Sequence, residues 1–137
     1  MLHHGGTILV ADDDADIRKL VVWALRVDGF NVIEAHDGYE TVYQLGMFDG
    51  RHRRLDLLVT DVNMPGPSGL CILQYIRSRG LATPTIIVTA LEAASARARR
   101  LGADVVLSKP FDIEDLRTVA TSLVRESSAV RTKRSPP

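Results

Sequence analysis

Five short apolar runs, at residues 7–11, 31–35, 55–60, 85–89 and 105–108, constrain this chain more than any other feature. They are rich in Val, Ile and Leu and do not alternate cleanly with polar residues. Strands buried on both faces read this way, and such strands belong to parallel sheets. Parallel neighbours need a crossover, and helical patterns fill the gaps. Ile17, Leu20, Val21, Ala24 and Leu25 fall on one face at spacings of three and four, with Gly29 as a stop signal just beyond. A second helix is predicted over 39–47, and a third starts near Gly69 and carries Leu70, Leu73 and Ile76. A fourth, over 93–101, is rich in Ala and Arg and ends at Gly102. A fifth follows Asp112, a candidate N-cap, and carries Leu116, Val119, Ala120 and Leu123. This alternation predicts a doubly wound α/β domain with helices on both faces of the sheet.

The 137 residues fit one domain, drawn here over 1–127, with 128–137 as a tail or the start of a linker. The 17 basic and 17 acidic residues balance, which gives no support for direct binding of nucleic acid or an anionic membrane. Cys71 is the sole cysteine, so no internal disulfide forms and a reducing, cytoplasmic setting is expected. The first residues lack the basic and apolar regions of a secretory signal. No apolar run is long enough to span a bilayer.

The polar residues that matter come at the strand ends. The first apolar run ends in Asp12, Asp13 and Asp14, the third in Asp61, the fourth in Thr89, and the fifth in Ser108 and Lys109. In open parallel sheets ligands bind outside the carboxyl ends of the strands. Converging carboxylates repel unless cations neutralise them. Lys109 supplies one positive charge, and a hard divalent ion such as Mg²⁺ suits the oxygen ligands. His3, His4, His36 and His52 are scattered, without zinc-site spacing. A carboxylate beside a metal, a lysine and a hydroxyl is a set suited to phosphoryl transfer, with the carboxylate as nucleophile.

These residues carry a resemblance. ILVADDDADIR (8–18), LLVTDVNMPGPSGL (57–70), PTIIVTA (84–90) and GADVVLSKPF (102–111) together resemble the receiver domain of two-component response regulators, over about residues 7 to 125. The resemblance implies a flavodoxin-like five-stranded parallel sheet of order 2-1-3-4-5. It implies that Asp61 is the phosphoacceptor, served by a histidine kinase or histidine phosphotransfer protein. Asp12, Asp13, Asp61 and the Asn63 carbonyl would hold Mg²⁺, Lys109 would pair with the phosphoryl oxygens, and Thr89 would be the switch hydroxyl. Lys109–Pro110 would be a cis peptide. The surface that changes would be formed by the fourth helix, fifth strand and fifth helix. The family's switch aromatic, three residues before the lysine, is replaced by Val106. Leu91 sits where the family tunes phosphoryl lifetime, and its apolar side chain implies slow dephosphorylation. Such a domain acts on its own aspartate and is not an enzyme with an external substrate.

Other readings bear on the same residues. A haloacid-dehalogenase-like phosphatase needs a second Asp two residues after the nucleophile, where this chain has Asn63. Flavin binding lacks its phosphate-cradling loop after the first strand. An unphosphorylated docking module is the alternative that Val106 supports. Asp14 and Asp16 read as helix-start residues, and Gly66 and Gly69 as backbone devices. Arg51, His52, Arg53 and Arg54 read as a solvated basic loop. Arg97, Arg99 and Arg100 make one side of the fourth helix basic, and the resemblance implies that this helix lies on the face receivers use for partners. Trp23 is expected to pack half-buried, and Cys71 to have no redox task.

Overall fold

The computed structural model of the chain describes residues 5–48 and 52–134, with side chains described as far as residue 129. His3, His4, Arg51 and residues 135–137 lie outside them. The strands are β1 (Thr7–Ala11), β2 (Asn31–Ala35), β3 (Leu57–Asp61), β4 (Thr85–Thr89) and β5 (Val105–Ser108). All adjacent pairs are parallel and the order is β2-β1-β3-β4-β5, as the resemblance implies. The helices are α1 (Ala15–Val27), α2 (Gly38–Leu45), α3 (Gly69–Ser78), α4 (Glu92–Arg100) and α5 (Ile113–Arg134).

The runs lack polar alternation because both faces of the sheet are covered. Ile8 and Val10 of β1, with Val59 and Val88, pack against Val21, Val22 and Leu25 of α1 and Leu116, Ala120 and Val124 of α5. Leu9 and Ala11 point the other way, with Leu58, and meet Ile72 and Ile76 of α3. Farther along that face, Ile87 meets Leu73 of α3 and Ala94 and Ala98 of α4. Each fully buried Leu or Ile contributes about 1.5–3 kcal/mol relative to exposure.

Several boundaries differ from the sequence reading. The third strand starts at Leu57 rather than residue 55 and extends one residue farther, to Asp61. Asp56 is taken up otherwise: its side chain accepts from the Thr7 amide at 2.8 Å, and its amide donates to the Thr7 carbonyl at 2.9 Å. The second helix starts at Gly38 because Asp37 caps it, accepting from the Glu40 amide. It ends at Leu45, short of residue 47. The fourth spans Glu92–Arg100, one residue earlier at each end than read. Leu20 and Trp23 are not packed as expected: they are 48% and 64% exposed. The buried face of α1 centres on Val21, Val22, Ala24 and Leu25, which leaves both on its outer shoulder. The fifth helix continues through residues 128–134, where a tail was drawn. That stretch has no Gly or Pro to stop a helix, although the apolar spacing ends with Val124.

One glycine fixes where α3 sits relative to the end of β3. A Cβ on Gly69 would lie 2.2 Å from the Asp61 carbonyl oxygen, a backbone contact that cannot yield cheaply. The glycine is there for close approach, not for a positive φ, whereas Gly66 does have φ of 81°. Gly69→Ala is expected to cost about 1–3 kcal/mol, in the range of overpacking a tight site. Urea unfolding checks this, and an unchanged midpoint at unchanged slope counts against a tight α3–β3 approach.

Candidate functional site

The site forms where β1, β3 and β5 end at the same edge. Asp12 follows β1 directly, and its amide donates to the Ala35 carbonyl at 3.1 Å. Its Oδ1 accepts from the Asp14 amide at 2.9 Å, which turns the chain into α1. Asp14 is the cap of α1, accepting from the Asp16 and Ile17 amides. The sequence assigned Asp14 to this role, and its carboxylate is spent on it. Asp12 is buried and Asp13 exposed, so consecutive acids face the interior and the solvent.

Asp61 is the last residue of β3 and is buried. Lys109 follows β5, tied by its amide to the Thr89 carbonyl at 2.9 Å. The Lys109–Pro110 bond is cis, as expected. The Lys109 Nζ donates to Asp61 Oδ2 at 3.0 Å and to Asp12 Oδ2 at 3.2 Å. Carboxylate oxygens of Asp12, Asp13 and Asp61 all lie within 4.8 Å of one another. Three carboxylates face one ammonium, leaving the ionised cluster two charges negative.

Burial pushes the Asp12 carboxyl above its ordinary 3.8, and the nearby Asp61 charge adds to it; the Asp14 amide and Lys109 pull the other way without prevailing. Burial also works against the Lys109 ammonium, but its bonds to Asp61 and Asp12 outweigh this and hold its pKa above 10.5. Lys109 is therefore a fixed cation, and the excess charge sits on the acids. Hard oxygen donors, net negative charge and one exposed ligand open to water fit a Mg²⁺ ion.

The remaining expected residues stand at the margins. Thr89 ends β4, is buried, and its Oγ1 accepts from the Leu91 amide at 3.1 Å. Asn63 lies exposed in the loop after β3, two residues beyond Asp61. Val106 is half-buried on β5, paired in register with Ile87 and packed in the cluster of Ala94 and Ala98. Arg18 closes the 8–18 stretch that carries the resemblance, but no role was assigned to it. Its guanidinium lies beside the acids, donating to the Asp12 carbonyl at 2.8 Å and to Glu34 at 3.1 Å. Its place in that stretch and in α1, six residues past Asp12, is the signal that could have drawn attention to it.

A doubly wound sheet with an acid trio and a lysine at its carboxyl edge defines a receiver-type signalling domain. The response regulator receiver domain family matches residues 8–121. "Transcriptional regulatory protein TrcR" of Mycobacterium tuberculosis is 35% identical over 88% of this chain and 46% of its own length. "Response regulator MprA" of Mycobacterium avium is 37% identical over 88% of this chain and 51% of its own length. The chain thus spans about half the length of these curated relatives. Among solved structures, the Francisella response regulator 1452 receiver domain superposes with a TM-score of 0.81 at 28% identity, covering 89% of this chain and 98% of its own. Response regulator TrrA of Thermotoga maritima, solved in complex with Mg²⁺ and BeF, has a TM-score of 0.75 at 28% identity, covering 86% and 98%. The chain belongs to the response regulator receiver family. Among the described residues no helix is long and apolar enough to cross a membrane.

The raised pKa of Asp12 predicts a stability effect. The folded protein holds that proton more tightly than the unfolded chain, so stability falls as pH rises from 3.8 through the folded value. Asp12→Asn keeps an oxygen for the Asp14 amide and removes the charge. Without metal, the variant should melt higher than the parent at neutral pH, with the gap closing below about pH 3.8. Thermal melts in chelator across pH check this, and a variant that melts lower at neutral pH refutes it.

Proposed function

We propose that Asp61 accepts a phosphoryl group from the phosphohistidine of a histidine kinase or phosphotransfer protein, and that the domain is a phosphorylation-dependent switch. The observation that carries this is Lys109 bound to both Asp61 and Asp12 inside an acid trio. An Asp61 oxygen attacks phosphorus, the donor's N–P bond breaks, and its electron pair stays on the imidazole. Lys109 holds Asp61 in place before the step and offsets charge on the phosphoryl oxygens during it. Asp12, Asp13, Asp61 and the Asn63 carbonyl would hold Mg²⁺, as the Mg²⁺–BeF complex of TrrA supports. When bound, the ion supplies further charge neutralisation at the phosphoryl oxygens. Leu91, 52% exposed after β4, is the candidate for limiting water attack and slowing dephosphorylation. The chain so read transforms its own aspartate and no separate substrate.

Incubation with acetyl phosphate and Mg²⁺ should add about 80 Da, one phosphoryl group, to the intact mass. Asp61→Asn should show no adduct. A wild-type chain without adduct at saturating donor would favour the docking-module alternative.

The signal then leaves through Thr89. In the unphosphorylated state its Oγ1 accepts the Leu91 amide, in the turn that starts α4. Leu91 is the N-cap residue of α4 and provides no side-chain cap. When Thr89 turns toward the new dianion, the Leu91 amide loses its acceptor. The first turn of α4 loosens, and the α4–β5–α5 surface shifts population without an aromatic lever at Val106. Exchange of the Leu91 amide should quicken about tenfold on adding Mg²⁺ and beryllofluoride, near the worth of one hydrogen bond. Thr89→Val should exchange fast in both states. Unchanged Leu91 protection in the wild type excludes this route.

A further inference from the structure

We infer that Arg18 is a positioning residue for the metal-binding acids: it clamps the peptide that joins Asp12 to Asp13. The inference rests on reading the acid trio as a Mg²⁺ site. The β1–β2 ladder ends at the pair Ala11 and Ala35. Beyond it, the Asp12 amide still finds the Ala35 carbonyl, and the Asp12 carbonyl accepts from a side chain, Arg18. The donor is Nη1, at 2.8 Å. Its Nε donates to Glu34 Oε1 at 3.1 Å, one residue before the end of β2. The Arg18 side chain is only 14% exposed. It is rooted in the first turns of α1, where its amide donates to the Asp14 carbonyl at 2.9 Å.

The geometry matters because the peptide is planar. The Asp12 carbonyl shares its plane with the Asp13 amide. Holding that oxygen fixes the direction in which the chain leaves Asp12 and so where Asp13 begins. Asp12 is buried and has further contacts, to Lys109 and the Asp14 amide. Asp13 is exposed, and the arginine fork supplies a constraint on its backbone from the other side. Lysine cannot reproduce the fork, since a single ammonium replaces a planar group that reaches Glu34 and the carbonyl together.

Position and charge predict opposite results. As a bare charge beside three carboxylates, Arg18 would repel a divalent cation, and removing it would tighten Mg²⁺ binding. As a clamp, it favours binding, and removing it weakens binding. The experiment is a MgCl₂ titration of the full chain, followed by the amide NMR shifts of Asp12 and Asp13. Arg18→Met and Arg18→Lys should each raise the Mg²⁺ Kd about tenfold, within the range seen when groups behind metal ligands are removed. Glu34→Gln, which keeps an oxygen for Nε, should raise it less. Preserved shift dispersion away from the site shows that each variant is folded, and Arg18→Lys carries the test if Arg18→Met is not. Arg18→Lys binding like wild type, or Arg18→Met binding as tightly as wild type or tighter, overturns the clamp while the metal site stands. A wild-type chain with no Mg²⁺-dependent shifts at Asp12 and Asp13 overturns both.

Discussion

The Lys109 ammonium, bonded to Asp61 at 3.0 Å and Asp12 at 3.2 Å, is the interaction on which the carboxyl edge of the sheet depends. Lys109 belongs to the end of β5, and its partners to the ends of β3 and β1. In the order β2-β1-β3-β4-β5, it must reach past β4 to meet them. The lysine's long stem makes that span possible, and the tie of its amide to Thr89 sets the starting point. Removing the ammonium would leave buried Asp12 and Asp61 facing each other, a costly arrangement for like charges in low dielectric. The apolar faces below are indifferent to which residues cap them. The acids tolerate burial because a cation from a distant strand is delivered to them.

That design leaves a deliberate imbalance. One lysine against three acids is not neutral, and Asp12 is pushed toward its protonated form first by burial and then by the Asp61 charge. A site satisfied by lysine alone would gain little from a divalent ion. Here a divalent ion would find negative charge still to be offset, and a phosphoryl group on Asp61 would add to that charge and so to the need for the ion. Strain of this electrostatic kind is typical of places where a structure gives up stability for function.

The architecture and the acid cluster of Asp12, Asp13 and Asp61 were legible because they rest on long-range patterns. Apolar runs at regular intervals specify buried strands, and polar residues at their ends specify an edge. What escaped depended on individual side chains. Asp56 ended up bonding Thr7 and so delayed the start of β3, a pairing across 49 residues that no local pattern announces. Leu20 fits a helical stripe by spacing and Trp23 lies beside it, but a stripe has a centre only when its partners are known. On α1 the centre fell on Val21, Val22 and Leu25, against the sheet and α5. Arg18 was hidden because one of its acceptors is a backbone carbonyl, which leaves no trace in residue identity, and the other, Glu34, lies 16 residues away on β2.

The way α4 is attached makes the proposed route of signalling physically reasonable despite Val106. The buried side of α4 consists of Ala94, Ser95 and Ala98, so the helix rests on small residues and little apolar area. Val106 packs beside Ala94 and Ala98, and a larger ring there would have to displace them or swing clear. With valine there is no ring to move, and at the start of α4 the Leu91 amide donates to the Thr89 hydroxyl while the Leu91 carbonyl accepts from the Ser95 amide and hydroxyl. A hydrogen bond of this kind is worth roughly 1 kcal/mol net, while a bond from the Thr89 hydroxyl to a phosphoryl dianion is worth roughly twice that. The difference suffices for a population shift of up to about tenfold, not for an all-or-none transition. On the proposed route, a receiver built this way would grade its output through the looseness of one helix start, and a partner reading α4 would supply the rest of the discrimination through its own differential binding.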